Sequence, residues 1–256
     1  MTTEDDLEIT CNGFKLSAGI FMPIEKKEKQ DAIIYCSGFP GSIETSKKIS
    51  KSFSQKGYAS IYFDYKGIRD SEGTLDFVSQ VDDLKAVITY AKAIEGLGRI
   101  IVVGHGFGGR VTFCTAAADK RVDGCAVWES IGDTREELKQ KPTQLVWRLY
   151  SALWVKNVRG AEKLLEKLRV AAESLNPVEC VKRISPRPVL IIHRRRDFNV
   201  AIRNAYELER SALDPKTLIL DDGWMHSDDD SFFTSPTRRD GAITYTDNWI
   251  KKYVLH

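Results

Sequence analysis

Short apolar segments alternate with helical segments along most of the chain, and this alternation limits the possible folds more than any other feature. Segments such as Ile100 to Val103 are continuously apolar, whereas Val78 to Ile94 has the spacing of an amphipathic helix. Strands that are apolar on both faces need helices on both sides of their sheet. The pattern therefore predicts an α/β fold with a mostly parallel central sheet and helices on both faces. The other predicted strands are Ala32 to Cys36, Ala59 to Phe63, Gly124 to Trp128, Val189 to His193 and Thr217 to Leu220, and the other predicted helices are Thr45 to Lys56, Gly108 to Ala118, Val200 to Leu213 and Arg239 to Tyr253.

The N-terminal segment has a different pattern. Asn12 and Gly13 lie between two β-favouring runs, Leu7 to Thr10 and Phe14 to Met22. An Asn-Gly pair between such runs is a strong signal for a two-residue hairpin turn. We expect an antiparallel hairpin at one edge of the sheet.

The connection between Trp128 and Val189 is much longer than its counterparts elsewhere in the chain. It has about 60 residues, whereas connections in α/β units usually have 2–6. Leu164, Leu168 and Ala171 recur there at helical spacing. We interpret residues 131–185 as a helical lid inserted into a core made of residues 1–130 and 186–256. An ordinary pair of surface helices is the alternative.

The composition excludes several classes of protein. The chain has 256 residues, with 38 basic and 36 acidic side chains, and a net charge of +2 gives no reason to expect a nucleic-acid partner. No apolar run approaches the ~20 residues that span a bilayer, and the acidic N-terminus does not resemble a secretory signal, so we expect no membrane association and a cytoplasmic location. The five cysteines are odd in number and lack metal-binding spacing, which indicates reduced core thiols and no metal site. We also expect no cofactor.

The segment from Ile100 to Gly109 carries the most informative motif, a buried strand that leads through a glycine-rich turn, Gly104-His105-Gly106-Phe107-Gly108, into a helix. Small residues at both ends of such a turn allow a strained bend that raises the central residue above the sheet. A glycine-rich turn also occurs in dinucleotide-binding folds, but there it lies in the first βα connection. Four further motifs decide between these two interpretations.

These motifs follow other predicted strands. Cys36-Ser37-Gly38-Phe39-Pro40-Gly41 comes after the strand that ends at Cys36, and the charged turn from Asp64 to Gly73 comes after the next. The stretch from Val189 to Val200 leads from a late strand to the acidic residue Asp197. The stretch from Leu220 to His226 leads from the last strand to a histidine. Together with the turn at Gly106, these motifs resemble the alpha/beta-hydrolase superfamily, in its branch of serine esterases, dienelactone hydrolases and acyl-peptidases.

The resemblance assigns roles to single residues. Gly106 occupies the nucleophile position, where the family carries a serine, cysteine or aspartate, and Asp197 and His226 match the acid and the histidine of the catalytic triad. The backbone amides of Phe39 and Phe107 match the oxyanion hole. Ser37 stands where the family usually has a histidine, and Arg194 where it usually has a glycine.

The resemblance implies a hydrolase of carboxylic ester bonds, or of thioester or amide bonds, that lacks its nucleophile side chain at Gly106 through engineered inactivation or natural divergence. One alternative is a non-covalent catalyst, a water-activating hydrolase, lyase or cyclase, in which His226 and Asp197 act as the general base. A second alternative is a non-catalytic protein that binds a small molecule or serves as a scaffold.

The aromatic content of the lid and nearby loops suggests an apolar or aromatic acyl substrate. A homodimer with Trp147 and Trp154 at its contact is left open as well, and no other partner is expected. His105 and His193 are interpreted as structural. The run from Arg194 to Arg196 is either a solvated surface or an anion-binding patch. The predicted substrate-binding residues are Ser37, Trp128, Trp147, Tyr150, Trp154, Trp224 and Met225.

Overall fold

A computed structural model describes residues 2–25, 27–39, 41–140, 161–222 and 236–255. Over these residues the strands form one sheet in the order β1-β2-β4-β3-β5-β6-β7-β8. β1 pairs with β2, and β2 with β4, in antiparallel orientation, whereas every other pair of neighbouring strands in this order is parallel. This confirms the predicted mostly parallel sheet. The strands are β1 Thr3–Cys11, β2 Phe14–Met22, β3 Gln30–Cys36, β4 Ala59–Phe63, β5 Leu97–His105, β6 Gly124–Trp128, β7 Val189–Arg194 and β8 Lys216–Asp221.

Helices cover both faces of the sheet, as the apolar strands require. One face packs against α2 and α3, in a core that includes Leu84, Val102 and Val111. The other face packs against α1 and α8, in a core that includes Phe53 and Trp249. The helices are α1 Ile43–Gln55, α2 Gln80–Ala93, α3 Phe107–Ala118, α4 Thr134–Lys139, α5 Ala161–Ser174, α6 Pro177–Cys180, α7 Arg203–Ser211 and α8 Pro236–Tyr253, and a 3₁₀ turn occupies Val181–Arg183.

The N-terminal hairpin forms where the Asn-Gly pair predicts it. Asn12 and Gly13 have φ values of 50° and 82°, the left-handed conformation that a two-residue hairpin turn needs at both positions. Cys11 pairs with Phe14 across the turn. The hairpin lies at one edge of the sheet because β2 continues into antiparallel pairing with β4.

The described parts of the long connection are tied to the sheet domain. Leu164 and Leu168 are buried in the same core as α3. The Asn176 side chain accepts a hydrogen bond from the Thr134 amide at 3.0 Å and donates one to Asp133 at 2.8 Å. Residues 141–160 lie outside the described part of the chain, so a lid over residues 131–185 stays a prediction. None of the helices in the described ranges is long and apolar enough to cross a membrane.

Candidate active site

The predicted site residues follow the carboxyl ends of neighbouring parallel strands. Ser37 follows β3, Gly106 follows β5 and Asp197 follows β7 by a short loop. The ends of β3, β5, β6 and β7 meet at one edge, since Cys36 pairs with Gly104 and His105 pairs with Trp128. Ligands of open α/β sheets bind at this edge.

Gly106 forms a sharp turn between β5 and α3. Its φ and ψ are 53° and −118°, and α3 begins at the next residue. The Gly106 amide donates to the carbonyl of Trp128 at 2.8 Å, which holds the turn against β6. This is a strained strand-to-helix turn of the kind that raises the residue at its centre above the sheet.

The glycines on either side of Gly106 are required by close packing. A Cβ atom at Gly104 would lie 2.3 Å from Oγ1 of Thr112, and one at Gly108 would lie 2.2 Å from the carbonyl oxygen of Cys36. The three glycines therefore have two different roles. Gly104 and Gly108 allow close approach, and Gly106 has a backbone conformation that other residues adopt only with strain.

Replacing Gly108 with alanine is expected to destabilise the chain by at least about 2 kcal/mol. The added methyl group would overlap the backbone of β3, and this outweighs the ~1 kcal/mol that alanine gains over glycine inside a helix. Gly38→Ala is the matched control, because its Cβ meets nothing closer than 3.4 Å. Chemical denaturation measures both variants, and equal stabilities would contradict the packing argument.

The loop after β3, predicted to supply one oxyanion donor, is held by an arginine. Arg69 donates from Nη1 to the carbonyl of Gly41 at 2.8 Å and from Nε to Oδ2 of Asp64 at 2.9 Å. Burial raises the pKa of Asp64, and the Arg69 guanidinium opposes this effect by stabilising the carboxylate. The loop is thereby anchored to the turn after β4.

The side chains of Phe39 and Phe107 pack together with Phe77 on one side of this loop. The ring centroids of Phe39 and Phe107 are 6.3 Å apart, and those of Phe77 and Phe107 are 5.2 Å apart, both edge to face. The two residues predicted to form the oxyanion hole are therefore neighbours in space. Ser37 is buried at the start of the same loop.

Asp197 is buried, and its carboxylate is oriented by the local backbone. Its Oδ1 accepts hydrogen bonds from the amides of Asn199 at 2.8 Å and Val200 at 3.0 Å. Because α7 begins only at Arg203, Asp197 shapes a turn and does not cap this helix. His193 lies beneath the turn and contacts the Val200 carbonyl through Nε2 at 2.9 Å, which confirms its structural interpretation.

A buried network that the sequence reasoning missed connects three adjacent strand ends. Glu129, which follows β6, contacts Nε2 of His105 through Oε2 at 3.1 Å and Nε of Arg194 through Oε1 at 2.7 Å. Glu129 has a φ of 50°, and its side chain is only 3% exposed. Its one signal in the sequence is an acidic residue directly after a buried strand. The network lies next to Gly106, because His105 precedes it in the chain.

The network corrects one interpretation of the arginine run. Arg194 pairs with Glu129, and Arg195 pairs with Asp222 at 3.1 Å. Arg194 and Arg195 are thus both paired with carboxylates, so neither of them supports an anion-binding patch. Arg194 stands where the motif usually has a glycine, and its side chain is accommodated because it extends to the buried carboxylate of Glu129.

Trp128 requires a second correction, because it does not line a pocket at the predicted site. Its ring packs against Tyr35 and Phe53, with centroids 6.0 Å from each, and its Nε1 donates to Thr246 at 3.0 Å. These partners belong to the core beneath α1 and α8. The other predicted site residues, His226, Trp147, Tyr150, Trp154, Trp224 and Met225, lie outside the described residues, as does Pro40.

Comparison with known proteins agrees with this geometry. A family model described as alpha/beta hydrolase fold matches residues 31–142. The ferulic-acid complex of Est1E from Butyrivibrio proteoclasticus has a TM-score of 0.78 at 20% identity and covers 98% of this chain and 100% of its own. The alpha/beta hydrolase GrgF from Penicillium sp. sh18 has a TM-score of 0.74 at 21% identity over 99% and 100% of the two chains.

Curated sequences are similar over shorter or more divergent stretches. The quorum-quenching protein AidA of Acinetobacter baumannii (strain MDR-ZJ06) is 32% identical over 124 residues, which is 46% of this chain and 40% of AidA. The uncharacterized protein YfhR of Escherichia coli (strain K12) is 22% identical over 88% of this chain and 74% of its own length. This chain thus spans about two fifths of the length of the curated relatives that are more than 30% identical to it, AidA among them.

The sheet order, the turn at Gly106 and the match over residues 31–142 show that this chain has the alpha/beta-hydrolase fold. Within the described ranges, no group of three His, Cys, Asp or Glu side chains is arranged to hold a metal ion.

Proposed function

We propose that this chain is a hydrolase of carboxylic ester bonds, or of related thioester or amide bonds, that works without a covalent intermediate at position 106. The observation that carries the proposal is the backbone conformation of Gly106. Its φ of 53° and ψ of −118° are those of a strained turn that presents a nucleophile, although glycine has no side chain to present. Gly104 and Gly108 keep the close packing that supports this turn.

In the proposed mechanism a water molecule takes the place of the missing nucleophile. His226, oriented by Asp197, removes a proton from this water as the water oxygen attacks the carbonyl carbon. The amides of Phe39 and Phe107 stabilise the resulting oxyanion. When the tetrahedral intermediate collapses, the leaving oxygen takes the proton from His226. The buried Asp197 carboxylate, held at Oδ1 by two amides, supports the acid's part in this mechanism.

The substrate class is proposed as apolar or aromatic acyl compounds. Support comes from the rings of Phe39, Phe77 and Phe107, which lie together beside the loop after β3. Aromatic rings favour contact with flat apolar groups through edge-to-face and offset packing. Est1E, whose fold is similar, was solved with ferulic acid bound, which is an aromatic acid.

Removal of the His226 imidazole tests the proposal. The chain is expected to hydrolyse p-nitrophenyl benzoate steadily, without a burst and without labelling by a fluorophosphonate. His226→Ala is expected to lower this rate by about 10²-fold or more, because general-base catalysis contributes on this scale. His256→Ala is the matched control, since it removes an imidazole from the C-terminal residue. An unchanged rate in His226→Ala would contradict the mechanism, and turnover by neither protein would favour a binding function.

A further inference from the structure

The sheet of the described residues ends in two outer strands, and the first of them, β1, is protected by charge. It carries exposed acidic side chains at Asp5, Asp6 and Glu8. Two such strands repel each other when they approach, because like charges on paired strands are unfavourable. Charged side chains of this kind commonly prevent one sheet edge from pairing with another.

The second outer strand, β8, lacks this protection. The residues from Thr217 to Leu220 carry no charge, and every residue of the strand is partly exposed. The strand begins with the basic Lys216 and ends with the acidic Asp221. A strand with opposite charges at its two ends is complementary to a second copy of itself that runs in the opposite direction.

Half of the backbone groups of β8 point away from the sheet. The carbonyls of Pro215 and Asp221 accept hydrogen bonds from the first residue of β7 and from the residue that follows β7, at 3.0 and 2.8 Å. Because the direction of these groups alternates along a strand, those of Lys216, Leu218 and Leu220 face outward. These outward N–H and C=O groups form no hydrogen bond within the described part of the chain.

The side chains of β8 extend both cores to this edge. Leu218 packs against the core that contains Leu208 of α7, and Ile219 packs against the core on the opposite face, which contains Ile250 of α8. Both β8 side chains stay partly exposed, because no further strand follows β8 among the described residues. Another strand at this edge would therefore pair the outward backbone groups and cover apolar surface on both faces.

We propose that the outer edge of β8 is the contact of a homodimer, in which β8 pairs antiparallel with β8 of a second copy. A two-fold axis at Leu218 places this residue opposite its own counterpart and Lys216 opposite Leu220 of the second copy. Each of these pairs uses outward groups on both strands, so each exchanges two hydrogen bonds. Lys216 then lies diagonally across from Asp222 of the second copy, a side chain that is 91% exposed, so opposite charges meet at both ends of the contact.

Sedimentation velocity and amide exchange by NMR on the unmodified chain test the proposal, and neither needs a substrate. As the concentration rises, we expect a dimer and no longer assemblies, because a two-fold contact closes on itself. When about nine tenths of the chain is dimeric, the amides of Leu218 and Leu220 should exchange about tenfold more slowly, because exchange then occurs from the remaining monomer. The amide of Ile219, which faces β7, is the internal control and should not change.

One proline at each edge separates this contact from any other. Leu220→Pro removes an outward N–H, which an edge strand tolerates, and should weaken the dimer at least about tenfold. Glu8→Pro is the matched control on β1: Glu8 lies opposite Ser17, whose carbonyl accepts from Asp64 and so points away from β1, which leaves the Glu8 N–H facing outward. It should leave the dimer unchanged.

Three results would overturn the proposal. They are a chain that stays monomeric at roughly 1 mM, where even weak contacts associate, a dimer in which the amides of Leu218 and Leu220 exchange as in the monomer, and equal effects of the two prolines. The second result would place the contact on another surface. The exchange measurement on the unmodified chain stands even where a variant fails to fold.

Discussion

Gly106→Ser is expected to give a chain that a fluorophosphonate labels and that hydrolyses p-nitrophenyl benzoate roughly 10³-fold faster than the unmodified chain. The backbone at position 106 already has the φ and ψ of a strained strand-to-helix turn. A serine there would project its hydroxyl above the carboxyl edge of the sheet, within the predicted reach of His226. The hydroxyl would restore the nucleophile and permit an acyl-enzyme intermediate.

The same substitution is expected to lower stability. A residue with a Cβ atom at a φ of 53° is strained, and we expect a loss of about 1–3 kcal/mol in the free energy of unfolding. Gly106→Ala is the matched control, because it introduces the same strain without a hydroxyl. It should lose similar stability and stay unlabelled. A folded Gly106→Ser chain that neither labels nor gains activity would contradict the proposed ester hydrolase.

Glu129→Ala is expected to destabilise the chain by about 3–5 kcal/mol, the largest stability effect expected here. Glu129 is the common partner of His105 and Arg194, and its removal leaves the Arg194 guanidinium partly buried without its carboxylate. An unpaired charge in such a place costs several times more than the loss of a surface ion pair. Urea denaturation of the purified chain measures the difference.

Two controls separate the buried charge from a mere loss of contacts. Arg195→Ala breaks the exposed pair with Asp222 and should cost less than about 1 kcal/mol. The double variant Glu129→Leu with Arg194→Met removes both charges, and it should recover most of the loss because apolar residues often replace a buried ion pair without penalty. If Glu129→Ala proved as mild as Arg195→Ala, the network would have no structural role.

The sheet could be predicted closely from the sequence where apolar runs have sharp boundaries. β4 and β6 begin and end at the predicted residues, Ala59–Phe63 and Gly124–Trp128. Helix α7 begins at Arg203, three positions after the predicted start at Val200, because the turn built around Asp197 occupies the intervening segment. Local turn chemistry overrides helical periodicity at such boundaries.

Trp128 shows why the side chains around the site were harder to predict than the strands. β6 is buried on both faces, so its sequence has no polar–apolar alternation to show which face a residue occupies. Only the assembled sheet decided that Trp128 faces the core with Tyr35 and Phe53. Its neighbour Glu129 lies at the strand end and contacts His105 beside the candidate site.

The amino-acid sequence alone determined the class of fold, the hairpin at Asn12-Gly13 and the presence of a glycine at position 106, because strand period, turn residues and motif spacing are local properties of the chain. The contacts of Glu129 with His105 and with Arg194 were decided only by the tertiary structure. Each of these contacts joins segments that are distant in sequence, and no local pattern records which strand ends or helices the folded sheet brings together.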